Sequence, residues 1–329
     1  MLLRHLGSGR CRPLRPLRTV AAAAAPRGFG SIAAAPQRSL SQQATRAVDD
    51  ADTAELWQTV RLSAEKELRS SRYAKHLSNL LETRVLKYDT FGEAIAGNLA
   101  VKLNSPSTGV DFDDVFSDVL GANQQIVDAA TCDLRRYVDI DPAAENHLTV
   151  FLSFKGFHAV QCARVANSLW EVPSSEGRML ARVLQCRMSH AFGVDIHPGA
   201  KLGYGLTLDH ATGIVVGETA VIGNNVGFMH DVTLGSTGTS ADHDRHPKVR
   251  DGVFLAAKCT VLGNVQVGTD SIIAANAVVT RDVPANHTAM GIPAKFVPNK
   301  RSEPTLGSAL AEAHLRGTST SSGKLIANR

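Results

Sequence analysis

Two hydrophobic rhythms divide this chain. From Thr53 to about Trp170, apolar residues recur at intervals of three and four. Leu77, Leu80, Leu81 and Val85 share one face, as do Ile95, Leu99 and Leu103; this is the spacing of amphipathic helices. Asp111-Phe112-Asp113-Asp114 reads as a helix start, with carboxylates complementing the positive end of the helix dipole. Gly121 and Asp141-Pro142 punctuate the pattern, and 148–169 and 175–191 read as two further helices. The spacing predicts an all-α domain over 49–192.

At Gly193 the period changes. Aliphatic or Phe residues stand at every sixth position: Ile196, Leu202, Leu208 and Ile214, then Val216, Ile222, Phe228 and Leu234. After an interruption the pattern resumes at Leu255, Val261, Val267, Ile273 and Val279. Small residues fall four places on at Ala200, Thr212, Ala220, Cys259, Ser271 and Ala277. Neither a helix nor a simple strand has a period of six. A hexapeptide repeat does, because three short strands close one triangular coil of a parallel β-helix. Solenoids of this repeat class are left-handed. The predicted fold is therefore α+β, an N-terminal all-α domain followed by a left-handed parallel β-helix over 193–298. The interruption between Leu234 and Leu255 is a long loop on a compact solenoid, which is where function concentrates. Beyond Pro298 the chain turns polar, and 299–329 reads as a disordered tail.

Composition supports this division and adds an address. Of 329 residues only 17 are aromatic (11 Phe, 4 Tyr, 2 Trp), as a narrow aliphatic solenoid core requires. The formal charge of +4 comes from one end of the chain. Residues 1–48 hold eight Arg and no acidic residue, which leaves 27 basic against 31 acidic residues in the remainder. Arg, Ala and Ser without carboxylates make a transit peptide, mitochondrial by its Arg density, with a plastid address as the alternative. The mildly acidic remainder argues against a nucleic-acid partner, and no apolar run reaches the ~18 residues of a membrane span. Cys132, Cys162, Cys186 and Cys259 lie at least 24 positions apart. They read as buried thiols and form neither a zinc knuckle nor a disulfide framework.

Four polar clusters fall in the repeat: Asp195-Ile-His197-Pro, Asp209-His210-Ala-Thr-Gly, Met229-His230-Asp231 and Asp244-Arg245-His246-Pro. His210 is two places after Leu208 and His230 two places after Phe228, so the two should stack on adjacent coils. A two-residue slip at 214–216 separates these coils. Asp209 flanks His210, and Asp195 lies about one coil below near the same corner. A carboxylate-oriented His is how a general base is held in one tautomer near neutral pH.

Residues 193–298 resemble the serine acetyltransferases. The match runs through Val194-Asp-Ile-His-Pro-Gly-Ala-Lys201 and Leu208-Asp-His-Ala-Thr-Gly-Ile-Val-Val-Gly-Glu-Thr-Ala220. In the helical part it includes Trp57, Asp139-Ile-Asp141-Pro-Ala and Lys155-Gly-Phe-His-Ala159. The resemblance implies acetyl transfer from acetyl-CoA to the hydroxyl of L-serine, the activating step of cysteine biosynthesis, with no tightly bound cofactor and no metal. It implies His210 as general base with Asp195 as its dyad partner. Asp141 and Asp209 would meet the substrate ammonium, and Arg245 and His246 its carboxylate. Gly235, Thr237, Gly238, Ala256, Ala257 and Lys258 occupy the positions expected to contact acetyl-CoA. It further implies a homotrimer doubled to a hexamer and feedback by cysteine.

Three departures from the family pattern stand out. The loop opens Gly235-Ser236-Thr237-Gly238-Thr239 and carries a one-residue insertion before Arg245. Glycines expected around 256–258 and near Ala274 and Asn276 are replaced, and a glycine there lets backbone approach the pantetheine arm. Ile326 is followed by Ala327, Asn328 and Arg329. Capture of a terminal Ile carboxylate by O-acetylserine sulfhydrylase, which uses the terminal charge itself, is therefore not expected. The alternatives are another acyltransferase of the same fold, a trimeric β-helix zinc carbonic anhydrase and an inactive scaffold subunit. A zinc site needs three converging His, and no His pair here has the His-x₄-His spacing.

Overall fold

A computed structural model describes residues 50–70, 72–106, 108–238 and 243–299. The expected transit segment 1–48, Thr239 and the tail with Ile326 lie outside the described residues.

The helices are α1 (Asp50–Ser70), α2 (Ala74–Leu81), α3 (Phe91–Leu103), α4 (Phe112–Ala122), α5 (Gln124–Ile140), α6 (His147–Ser153), α7 (Lys155–Glu171) and α8 (Ser175–Phe192). Local chemistry sets their ends. Thr90 and Glu93 form a reciprocal capping box at α3, the Asp111 carboxylate accepts from Asp113 N–H at 2.9 Å, and Ser174 Oγ accepts from Gly177 N–H at 3.0 Å; each satisfies an orphan donor of a first turn. Leu81 and Val85 are buried as their spacing predicts, but Leu80 is exposed, and α2 passes into a wider π turn over Glu82–Leu86. The helix expected over 148–169 is two helices broken at Phe154, whose extended φ/ψ of −83°/101° redirects the chain. Trp57 packs on Phe91 and Phe151 with ring centroids 5.7 and 5.4 Å away. It is a core residue of the helical region.

Gly193, at φ 69°, ends α8 in the left-handed conformation a glycine adopts freely, and the solenoid starts at the next residue. Its strands are β1 (Val194–Ile196), β2 (Lys201–Leu202), β3 (Thr207–Leu208), β4 (Ile214–Val216), β5 (Val221–Ile222), β6 (Gly227–Phe228), β7 (Thr233–Gly235), β8 (Lys248–Val249), β9 (Phe254–Leu255), β10 (Thr260–Leu262), β11 (Gln266–Val267), β12 (Ile272–Ile273), β13 (Val278–Val279), β14 (His287–Met290) and β15 (Lys295–Pro298). They stack into three sheets: β1-β4-β7-β10-β13, β2-β5-β8-β11 and β3-β6-β9-β12-β14-β15. All pairs are parallel except the last, where β15 runs antiparallel to β14 and covers that sheet's end. The period-six residues fill the core with Leu202 only partly buried.

Coil length varies, and the variation is informative. Leu255 stands against Ile273 eighteen residues on, but Leu208 pairs with Phe228 across twenty and Phe228 with Leu255 across twenty-seven. The two extra residues of the first coil lie in the turn between Leu208 and Ile214, earlier than the sequence suggested. That displacement leaves Thr212 exposed, and Ala211 is buried instead. The nine extra residues of the next coil form the loop before β8, where Val249 rejoins the repeat sooner than expected.

The helical region closes the open first coil. Asp133 accepts from Leu206 N–H at 2.7 Å and forms a buried ion pair with Arg164, which donates to Gly203 O at 2.7 Å. Removing one partner of such a pair costs about 3–5 kcal/mol. Asn167 donates to Pro198 O at 2.8 Å. Backbone groups that a further coil would have paired are thus satisfied by α5 and α7.

Candidate active site: two corners of one prism

The first corner joins the β3 sheet to the β4 sheet. His210 and Ala211 both have φ 56°, a conformation costing about 1–2 kcal/mol per non-glycine residue. Two tight turns follow one another there, Ala211 N–H to Asp209 O and Thr212 N–H to His210 O, each 2.6 Å. They carry the His210 imidazole outward, 71% exposed, with Nε2 3.6 Å from Asp209 Oδ1. One coil up, the His230 ring stands edge-on to His210 with centroids 5.9 Å apart, as the register predicted. Its Nδ1 is buried without a partner. Ala256, Ala257 and Lys258 lie at the same corner a further coil on, where Lys258 N–H donates to His230 O at 3.0 Å. Lys258 itself has φ 62°, the strained counterpart of the glycine expected there.

Asp141 arrives from the end of α5. Its Oδ1 accepts from Ala143 N–H at 2.9 Å, which fixes the carboxylate beside the solenoid. Asp141, Asp209, Phe228, Met229 and Phe254 line a cavity of about 150 Å³. The structure therefore brings together Asp141, Asp209 and His210. Asp195, on β1, lies two residues past Gly193, whose carbonyl accepts from Gly213 N–H at 2.7 Å. Its Oδ1 accepts from Gln185 Nε2 at 2.7 Å. Among the described residues, the carboxylate within ion-pair distance of His210 is that of Asp209.

Arg245 and His246 are not at this corner. They sit where the β7 sheet turns into the β8 sheet, beside Gly235, Thr237 and Gly238. Arg245 Nη2 lies 3.2 Å from Glu218 Oε2, and its N–H donates to Thr219 Oγ1 at 3.1 Å. His246 is buried over Gly217, where an added Cβ would come within 2.0 Å of the ring. Thr219 N–H donates to His246 Nδ1 at 3.1 Å. That bond leaves the proton on Nε2, a donor for an anion. Burial, then the charges of Arg245 and Lys248, hold this imidazole below the ordinary His range. His197 adjoins the same corner, is lowered chiefly by burial, and packs edge-on to Trp170 at 5.0 Å.

Sequence reasoning missed Glu218 and Tyr137. Glu218 lay inside the matched Gly-Glu-Thr-Ala run, and Tyr137 stands one helical turn before Asp141. The thiols also differ from expectation, since Cys186 is exposed and Cys132 only half-buried. Among the described residues, no group of three or more His, Cys, Asp or Glu is placed to hold a metal ion. None of the described helices is long and apolar enough to cross a membrane.

Comparison with known proteins agrees with this architecture. Residues 56–162 match the family model "Serine acetyltransferase, N-terminal", and 246–281 match "Bacterial transferase hexapeptide (six repeats)". A serine acetyltransferase of Haemophilus influenzae is 42% identical over 74% of this chain and 90% of its own length. Serine acetyltransferase 3, mitochondrial, of Arabidopsis thaliana is 41% identical over 76% of this chain, a match spanning 63% of that protein. Soybean serine acetyltransferase complexed with serine superposes with a TM-score of 0.70 at 38% identity, covering 76% of this chain and 100% of that one. A serine acetyltransferase complex with CoA gives 0.69 at 41% identity, covering 74% and 100%, and one with cysteine 0.72 at 39%, covering 77% and 96%. A helical region joined to a hexapeptide solenoid, with relatives above 40% identity along most of both, places the chain: it belongs to the serine acetyltransferase family.

Proposed function

We propose that this chain transfers the acetyl group of acetyl-CoA to the hydroxyl of L-serine, giving O-acetyl-L-serine and CoA. The observation that carries the reading is His210, presented on a strained turn with the Asp209 carboxylate 3.6 Å away and Asp141 across the adjoining cavity. The imidazole takes the proton from the serine hydroxyl as its oxygen attacks the thioester carbonyl. The proton then passes to the departing CoA thiolate. A positioned general base of this kind contributes about 10²–10⁴-fold. Asp209 and Asp141 meet the ammonium. Asp195 serves as dyad partner from the neighbouring strand, with Gln185 fixing one of its oxygens. Arg245 and His246 bind the carboxylate. Acetyl-CoA contacts Gly235, Thr237 and Gly238 from one corner and Ala256, Ala257 and Lys258 from the other.

These groups are divided between two corners of the same prism. A cyclic trimer about an axis along the solenoid sets the first corner of one subunit against the second corner of the next. This supports a homotrimer with shared sites, doubled to a hexamer through the helical regions. Cysteine carries the same ammonium and carboxylate and competes for the same groups. The Arg-rich segment 1–48 and the mitochondrial relative support a mitochondrial location, with the plastid as alternative. The reading is tested by thiol release from acetyl-CoA with and without L-serine. Serine-dependent release is expected; release indifferent to serine, or none, overturns it.

A further inference from the structure

The turn bearing His210 belongs to the first coil, and β3, which leads into it, is the end strand of its sheet. On one side the turn has solenoid neighbours: Asp209 N–H donates to Phe228 O at 2.7 Å and Asp231 N–H to Thr212 O at 2.8 Å. On the other side no strand pairs with β3 among the described residues. A turn with two consecutive left-handed residues persists only where its surroundings over-determine it; on this side Gly213 N–H to Gly193 O at 2.7 Å holds its exit, and the helices supply the rest.

Two side chains supply that support, one at each end of the segment. Tyr137 Oη, buried at the end of α5, accepts from Leu208 N–H at 2.7 Å and donates to Leu208 O at 3.2 Å. One hydroxyl thus does for Leu208 what a neighbouring strand does elsewhere, and the Phe154 ring holds the phenol edge-on at 5.5 Å. At the other end Lys155, the first residue of α7, donates from Nζ to Thr212 Oγ1. Thr212 Oγ1 in turn donates to His210 O at 3.3 Å. Between the two grips, Gly156 presses against the segment. A Cβ there would lie 2.1 Å from Leu208 O and 2.8 Å from Tyr137 Oη.

We propose that Tyr137 and Lys155 are positioning residues for His210, clamping Leu208 and Thr212 on either side of it. The inference rests on His210 being the general base. Neither residue touches reacting atoms; both fix where the imidazole stands. Displacing a reacting group by 1 Å costs on the order of 10²-fold in rate. The helical region therefore does more than close the solenoid. It sets the geometry of proton transfer.

The test uses the full chain with Lys155→Met, Lys155→Arg, Tyr137→Phe and His210→Ala. Lys155→Met and Tyr137→Phe are expected to lower kcat about 10- to 100-fold, with KM for serine and acetyl-CoA changing less than about threefold. Their pH–kcat profiles should be displaced, and the His210 imidazole signals in NMR should move. Lys155→Arg, which keeps a donor, should recover most of the loss. Wild-type kcat and pH profile in Lys155→Met overturn the clamp, as does a loss that tracks a lowered Tm with an unmoved His210 signal. If Tyr137→Phe does not fold, the partly exposed Lys155 decides alone. Activity surviving in His210→Ala overturns the base assignment itself; an inactive His210→Ala beside fully active clamp variants overturns the clamp only.

Discussion

The two corners of the solenoid are built by opposite means. At the His210 corner the backbone is strained, the imidazole of His210 is exposed, and order is imposed from outside by α5 and α7. At the Arg245 corner the strand ladder is merely interrupted, and order comes from side chains bonded to one another: Arg245 to Glu218, and the Thr219 hydroxyl to His246. The first arrangement suits a group that must stand at one distance from a moving proton. The second suits a fixed charge that holds an anion. The two sets of groups stand at different corners of one chain, which is the ground for the proposal that two subunits share each site.

The sharpest break of this comparison is His210→Ala. On the proposed function, kcat falls about 10²–10⁴-fold while Tm is unchanged, since the ring is exposed. Retained turnover contradicts the role of the first corner. Arg245→Ala should act differently, through binding. The kcat/KM for serine is expected to fall about 10- to 100-fold, the size of a lost charged hydrogen bond, and cysteine inhibition should weaken in parallel. A serine KM that stays at the wild-type value while kcat collapses would erase the distinction between the corners.

The contrast also marks what the sequence could convey. Period-six residues such as Phe228 and Leu255 revealed the solenoid because burial on a narrow core is a one-dimensional signal. The same periodicity stacked His210 on His230 correctly. Coil length was harder, because an extra pair of residues is tolerated wherever a corner accepts left-handed backbone, and the alternation of Ile214 and Val216 masks where the insertion falls. The break at Phe154 was not visible either, since Val150, Phe151, Phe154 and Phe157 continue the three- and four-residue spacing across it. Tyr137 looked like any core aromatic; its hydroxyl matters only because β3 is an end strand, which is a fact of tertiary structure. Glu218 lay inside a recognised motif, yet its partner is 27 positions away across a loop.

Smaller effects separate the supports behind the corners. His158, in α7 behind the first corner, is fully buried, and burial pushes its pKa down to about 3. In the unfolded chain it takes up a proton near pH 6.5, so stability is complete above that pH and falls as pH drops towards 3. The slope for one group is about 1.4 kcal/mol per pH unit, or about 2 kcal/mol between pH 6.5 and 5. Urea unfolding at the two pH values should show this loss in the wild type and a smaller one in His158→Gln; parallel losses would contradict it. The least effect is expected at Lys258, where φ is 62°. Lys258→Gly relieves a left-handed side chain and should raise stability by about 1 kcal/mol. A lowered Tm would mean that the lysine makes a contact that outweighs the strain.

The central claim, that each site is shared between two subunits, has a direct measurement. His210→Ala and Arg245→Ala chains are co-expressed with different affinity tags, and doubly tagged assemblies are isolated and assayed with acetyl-CoA and with serine held below its KM. If the first corner of one subunit works with the second corner of its neighbour, every mixed cyclic trimer holds one intact site in three and regains about a third of wild-type activity, although each parent is nearly inactive. Mixed assemblies as inactive as their parents would show that His210 and Arg245 act within one chain or not at all.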